Sequence, residues 1–359
     1  MPDLFKNLFN YQSLREVALA IQLVYNSFQV DEFLKSVMDE TWDDLELKAR
    51  VRKISVNLGK YLPADYSEAL AILEPAVAGF SIAFFFPDFI EVYGQDEVNW
   101  DLSISALERN TAYWSAEFAV RPFIIKHEER MMAQMYAWSK HENEDIRRLS
   151  SEGCRPQLPW GQALTKYKKD PAPILPILIQ LKTDPSPYVR KSVANNLNDI
   201  SKTHPDLVIE LAKDWYGENE YTNWILKHGC RTLLKKGNQE VLALFGYINL
   251  MPIDVDDFTL GAASISLGED IDFSFTIFTQ EAAKVRIEYG IDYVKANGKR
   301  NRKIFQISEI ALKENEKRFY TKKHSFADLS TRKHYPGIHS ITLIVNGAER
   351  GKLDFKLEV

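Results

Sequence analysis

The apolar spacing of this chain changes once, and that change limits what it can fold into more than any other feature. From Tyr11 to about Leu250, apolar residues recur every three or four positions in segments of helical length, the period of helices with one buried face. After Met251-Pro252 they alternate with polar residues: DFSFTIF (272–278), KVRIEYGIDYV (284–294), KIFQISEI (303–310), then HSITLIV and AERGKLDFKLEV on either side of Asn346-Gly347. A period-two pattern suits strands and not helices, and Asn-Gly between two such runs is a strong hairpin signal. Residues 1–250 are therefore expected to be helical and 251–359 to form a small sheet domain.

The helical part also resembles itself. Segments beginning at Ala116 (AEFAVRPFI), Ser151 (SEGCRPQLP), Tyr188 (YVRKSVANNLNDI) and Thr222 (TNWILKHGCRTLLKKG) follow one another at intervals of about 35 residues. Punctuation falls between helices at Lys60-Tyr-Leu-Pro, Asp170-Pro-Ala-Pro, Asp184-Pro-Ser-Pro and His204-Pro-Asp. This predicts a mostly α architecture of stacked HEAT-like repeats, an α-solenoid with an open concave face. In DPSPYVRKSVANNL, Asp-Pro opens the second helix, Val189 and Val193 face the core, and Arg190 reaches neighbouring repeats. The strand-rich remainder reads as a small antiparallel β-sandwich of immunoglobulin-like type, without the Cys…Trp…Cys core of antibody domains. The boundary is expected between Leu250 and Asp257.

At 359 residues and 45% hydrophobic composition, the chain has enough apolar material for two cores. The start, MPDLFKNLFNYQSLREV, does not read as a secretion signal, and the uncharged stretch from Pro75 to Pro87 is too short for a bilayer span. Two cysteines, Cys154 and Cys230, suit a reducing compartment and make neither a disulfide framework nor a CxxC site. The histidines show no HxxxH or HExxH spacing, so no metal is expected. No GxGxxG or GxxxxGK[ST] loop follows a strand and no GxSxG elbow is present, so no nucleotide cofactor or serine nucleophile is expected.

The net charge of −5 conceals a segregation. Residues 1–110 carry 9 basic and 18 acidic side chains, 111–250 carry 19 and 16, and 284–333 carry 14 and 6. Within the last block KANGKRNRK (295–303) holds five positive charges, including Lys299, Arg300, Arg302 and Lys303. A polyanion can dock on such a block despite the acidic total; a solvated loop without a ligand is the plain alternative.

Glu117 (SAEFAVRP) and Glu152 (SSEGCRP) each precede an Arg-Pro pair, and Asp199 lies near the end of the helix one repeat later. Three acids from successive repeats then converge on one strip of a basic half, where phosphate would repel them. They make chemical sense if they meet positive charge, as in hydrolysis of the N-glycosidic bond to a cationic alkylated base. The leaving base needs little acid assistance, and a carboxylate near C1′ stabilises the oxocarbenium-like sugar and orients or deprotonates water. Trp160 can pack on the sugar or on the cationic base, and Arg121, Arg155 and Arg190 can hold phosphates. Each residue also has a structural reading: the acids cap helices or pair with Arg147, Arg148 and Arg155, and Trp160 wedges repeats apart. Trp114, Trp138, Trp215 and Trp224 read as packing residues.

On SSEGCRPQLPWG, DPSPYVRKSVANNLNDISKTHPD and NWILKHGCRTLLKKG, the chain resembles the AlkD/AlkC superfamily of HEAT-like-repeat DNA glycosylases, and within it the AlkC branch. Many members of that branch carry a trailing immunoglobulin-like domain. The resemblance implies a cofactor-independent, monofunctional glycosylase that removes cationic alkylated bases from bent duplex DNA without full base flipping. The bases implied are 3-methyladenine and 3-methylcytosine, with 1-methyladenine a further candidate. It implies Glu117, Glu152, Trp160 and Asp199 as active-site residues, with Asp199 or Glu152 positioning water, and a second DNA contact through Lys299, Arg300, Arg302 and Lys303. A monomer in the bacterial cytoplasm, at the nucleoid when bound to DNA, is the expected state. The rival reading is a non-enzymatic HEAT scaffold that binds DNA or protein; protein recognition by the β-sandwich is a third.

Overall fold

The structure, a computed structural model, describes residues 5–248, 253–329 and 332–358. It groups into two compact units, one of residues up to Thr203 with Asn219–His228, the other of His204–Glu218 with residues from Gly229 onward. Of the junction expected between Leu250 and Asp257, residues 250–252 lie outside the described ones, and a strand begins at Ile253.

The first unit is helical, and its helices begin where short polar side chains can take the unpaired amides of a first turn. Asn10 and Ser13 form a capping box for Tyr11–Val24, Asp65 caps Tyr66–Val77, and Asn143 caps Glu144–Gly153. Ser186 caps Pro187–Ile200, with Pro187 at the position where a missing N–H costs nothing. Leu47–Tyr61 ends just before Pro63, and Thr165–Lys169 before Pro171, as the punctuation predicts. Val189 and Val193 are fully buried, as expected from their spacing. Among the described residues, no helix is long and apolar enough to cross a membrane.

The internal similarity does not translate into equal placement. The Ala116 segment sets Glu117 in the turn before helix Val120–Lys126, whereas Glu152 sits in the last turn of Glu144–Gly153. Like letters occupy different phases of their repeats: Val120–Lys126 starts without a side-chain cap, and Glu144–Gly153 starts from the Asn143 cap.

The second unit combines helices Pro205–Trp215, Arg231–Lys235 and Gln239–Leu244 with eight strands: β1 Ile253–Leu260, β2 Ser264–Ser266, β3 Asp270–Thr279, β4 Ala283–Val294, β5 Arg300–Leu312, β6 Lys317–Ser325, β7 Gly337–Val345 and β8 Ala348–Glu358. They form two sheets, ordered β1-β3-β6 and β2-β8-β7-β4-β5. All pairings are antiparallel except β2 with β8, which is parallel. The small β-sandwich expected from the sequence is present, and the three-residue β2 sits at its edge without a hairpin to fix its direction.

Alternation places Ile271, Phe273, Phe275 and Ile277 of β3 against Val285, Ile287, Tyr289 and Ile291 of β4, with Ile341, Leu343 and Phe355 completing the core. Asn346 and Gly347 both take positive φ, 47° and 76°, closing the β7–β8 hairpin that Asn-Gly predicts.

Three histidines are buried in this sandwich. His324 lies between two phenols, with Nδ1 2.8 Å from Tyr289 and Nε2 2.5 Å from Tyr293, while Arg332 donates to the Tyr293 oxygen. A neutral imidazole satisfies this chain, with Tyr293 donating to one ring nitrogen and the other ring N–H donating to Tyr289. Burial, with Arg332 and His334 adding to it against Asp270, pushes the His324 pKa down to about 4. The unfolded state binds the extra proton first, so the stabilisation is complete above about pH 6.5 and is lost as the pH falls toward 4. Denaturant titrations should show about 2 to 3 kcal/mol less stability at pH 4.5 than at pH 7 from this residue, and His324→Phe should flatten that dependence.

Candidate active site

The site grows from helix Glu144–Gly153 and the segment after it. Once Asn143 fixes the first turn, Arg148 and Glu152 fall one turn apart on one face, with Arg155 just past the helix end. Gly153 packs against helix Val120–Lys126: a Cβ there would lie 2.6 Å from a Val120 methyl. That proximity carries Glu117, three residues before the helix, to Arg148.

The result is a continuous chain of alternating charge. Glu117 pairs with Arg148, which also reaches Glu152 at 3.6 Å. Arg155 joins Glu152 at 2.5 Å to Asp199 at 2.9 Å, and Lys202 holds the other Asp199 oxygen at 2.8 Å. Ser192 donates to the second oxygen of Glu152 at 2.6 Å, and Ser115 to Glu117 at 2.9 Å. Burial opposes the charge on Arg155, but Glu152 and Asp199 outweigh it and raise its pKa. Three carboxylates face three cations, so the expected convergence of acids from successive repeats is present, and so is the pairing that the structural reading foresees.

The acids are not equally accessible. Glu117, Glu152 and Arg155 line a cavity of about 490 Å³ together with Trp160. Asp199, with its side chain 2% exposed, lies behind Arg155. Trp160 is 78% exposed and does not wedge the repeats. Its φ of 62° is a left-handed conformation that an indole-bearing residue adopts only under constraint. The constraints are visible: Lys48 donates to the Trp160 carbonyl at 2.7 Å, Gly161 to that of Leu158 at 3.1 Å, and Leu164 to that of Pro156 at 3.2 Å.

Of the expected phosphate-binding arginines, none stands free. Arg121 is fully buried and donates to the carbonyls of Gln162 and Gly153; burial lowers its pKa to about 10. Arg155 is committed to Glu152 and Asp199. Arg190 donates to the carbonyls of Asp184 and Pro185 and lies 4.2 Å over the Tyr221 ring. These arginines tie repeats and loops together.

The basic run 295–303 is a hairpin and not a loop, with its turn at 295–299 and Arg300 to Lys303 opening the edge strand β5. Lys299, Arg300, Arg302 and Lys303 are exposed, but Arg300 bonds Ser340, and Arg302 is bidentate to Asp292 and pairs with Glu349. Trp114, Trp138 and Trp215 are buried as expected, whereas Trp224 is 44% exposed and stacks on His228 at 5.1 Å.

Ser192 and Lys202 were not singled out from the sequence, and Arg148 only as a structural partner of the acids, though helical spacing carried the signal. Arg148 stands four residues before Glu152, Ser192 seven before Asp199, and Lys202 three after it, all on shared faces. Lys48 had no such signal, since 112 positions separate it from Trp160.

Residues 101–233 match the family described as DNA alkylation repair enzyme, and residues 254–359 the C-terminal Ig-like domain of the uncharacterised protein YhaZ. The chain is 48% identical to "Uncharacterized protein YhaZ" of Bacillus subtilis (strain 168), over 99% of this chain and 100% of that protein. Among solved structures it is similar to the Pseudomonas fluorescens alkylpurine DNA glycosylase AlkC bound to DNA containing an abasic site analog. That match has 36% identity, covers 99% of both chains and gives a TM-score of 0.94.

Proposed function

From a chain that belongs to the DNA alkylation repair enzymes, in the AlkC branch with its C-terminal Ig-like domain, we propose a glycosylase that hydrolyses the N-glycosidic bond of cationic alkylated bases in duplex DNA. The observation that carries this reading is the pairing of Glu117 and Glu152 with Trp160 on the wall of one cavity. Glu152 faces the sugar. As the bond to the base breaks, positive charge develops at C1′, and a carboxylate already held by Arg155 and Ser192 meets it without reorganising. Water attacks the sugar on the side of the acids and gives its proton to a carboxylate. Asp199 acts through Arg155, which it fixes against Glu152. The indole of Trp160 packs on the sugar or the cationic ring. The partner is double-stranded DNA bearing the lesion, and the exposed Lys299 and Lys303 add a second contact.

A panel of duplexes, each with one methylated base, tests the reading by chromatography of released bases. Release of 3-methyladenine first and 3-methylcytosine second is the expected order. Release of none of the cationic bases, with the DNA bound intact, would establish the scaffold reading that the fully paired acids also permit.

A further inference from the structure

The cavity has two chemically different walls. Glu117, Phe118, Glu152 and Trp160 come from residues after 115, and Phe5, Leu47, Val51, Phe84 and Pro87, from the first ninety, make up its aromatic and aliphatic lining. Phe5 and Phe84 meet edge to face at 5.3 Å. Lys48, anchored on the Trp160 carbonyl, holds its ammonium 4.5 Å from the centre of the Phe118 ring. Asp88 and Glu91 also lie on this wall, but both pair with Arg52, and burial raises the pKa of each. Two acids against Arg52 and Lys48 leave this wall without a net negative charge, and most of its surface is aromatic or aliphatic.

One reaction gives both walls a purpose. When the C1′–N bond of an alkylated nucleoside breaks, its electron pair stays on the base, which loses its positive charge. The charge passes to the sugar and is removed when water adds and gives up a proton. A ring that enters as a cation therefore leaves neutral. The carboxylates cease to hold it, while aromatic walls hold a flat neutral ring well. The Lys48 ammonium repels a cation and tolerates the neutral ring. At about 490 Å³ the cavity lies within the roughly 300–1,000 Å³ of small-molecule sites, enough for a free purine beside the sugar.

We propose that the aromatic wall is a product subsite, which takes up the excised neutral base and draws it away from the carboxylates and the abasic sugar. The assignment rests on the glycosylase reading and is separable from it. Calorimetric titration of the full chain with free 3-methyladenine should give one site. Phe84→Leu and the surface change Phe5→Ala should each weaken it about tenfold, as loss of an aromatic contact implies, and Glu152→Gln by less than about twofold. Thermal melts identify any variant that fails to fold, and Phe5, half exposed, keeps the test available if Phe84→Leu does. No binding of the free base by a protein that releases bases from DNA would overturn the subsite alone. Equal weakening by Glu152→Gln and the phenylalanine variants would overturn it too, by placing the base at the acids. Failure to release any base would overturn the glycosylase reading itself.

Discussion

Glu152→Gln is expected to slow single-turnover base release by about a hundredfold to a thousandfold, the scale of removing one preorganised electrostatic group from a transition state. The amide keeps the shape of the carboxylate; its oxygen can accept from Arg155 while its NH2 donates to the Ser192 hydroxyl, which accepts after rotating, so the loss falls mainly on the charge. DNA affinity should change little, because Glu152 is 5% exposed and paired with arginine, and so adds little repulsion toward phosphate. Gel-shift titration beside rapid-quench kinetics separates the two effects. A lost affinity with an unaltered chemical step would remove Glu152 from the sugar-facing role. An equal or larger rate loss for Asp199→Asn with an unaltered melting temperature would transfer that role to Asp199.

The second large effect concerns Arg155. Arg155→Met leaves Glu152 without its 2.5 Å partner and Asp199 without its 2.9 Å one, both in a nearly waterless setting. Breaking a buried ion pair by removing one member costs about 3 to 5 kcal/mol, because the stranded charge cannot be rehydrated. In a helical unit of this size the melting temperature should fall by roughly 6 to 20 °C. Adding Asp199→Asn to Arg155→Met should recover part of the loss, since it removes one stranded charge; a further drop would show that Asp199 is held mainly by Lys202. A phosphate clamp predicts the opposite pattern, with stability intact and a shallower dependence of DNA binding on salt.

Arg155 also shows where reading the sequence stopped. Its place in SSEGCRP, close to Glu152, was plain, but both a phosphate and a carboxylate are natural partners of a guanidinium. The choice was made by Asp199, 44 positions away, which the packing of Pro187–Ile200 on Glu144–Gly153 brings to 2.9 Å. Arg121 followed the same course, finding the Gly153 and Gln162 carbonyls 32 and 41 positions away, whereas Arg190 bonds carbonyls five and six residues before it. Among the strands, β1 and β6 were missed because at least half of their residues are polar and most are exposed or half-buried, which blurs the alternation, and β2 because three residues carry no period.

The sequence by itself determined the division into a helical part and a β-sandwich, the helix opened by Asp184-Pro-Ser-Pro, the hairpin at Asn346-Gly347, and the acids at Glu117, Glu152 and Asp199. Those features follow from backbone preferences and from the period of burial, which act over a few residues and are written locally. Only the tertiary structure decided which acid faces a cavity and which stands behind an arginine, that Lys48 holds Trp160 in its left-handed turn, and that phenylalanines from the first ninety residues line the same cavity as the acids. Such outcomes depend on distances between helices far apart in the chain, and those distances are set by packing shapes such as the bare Cα of Gly153.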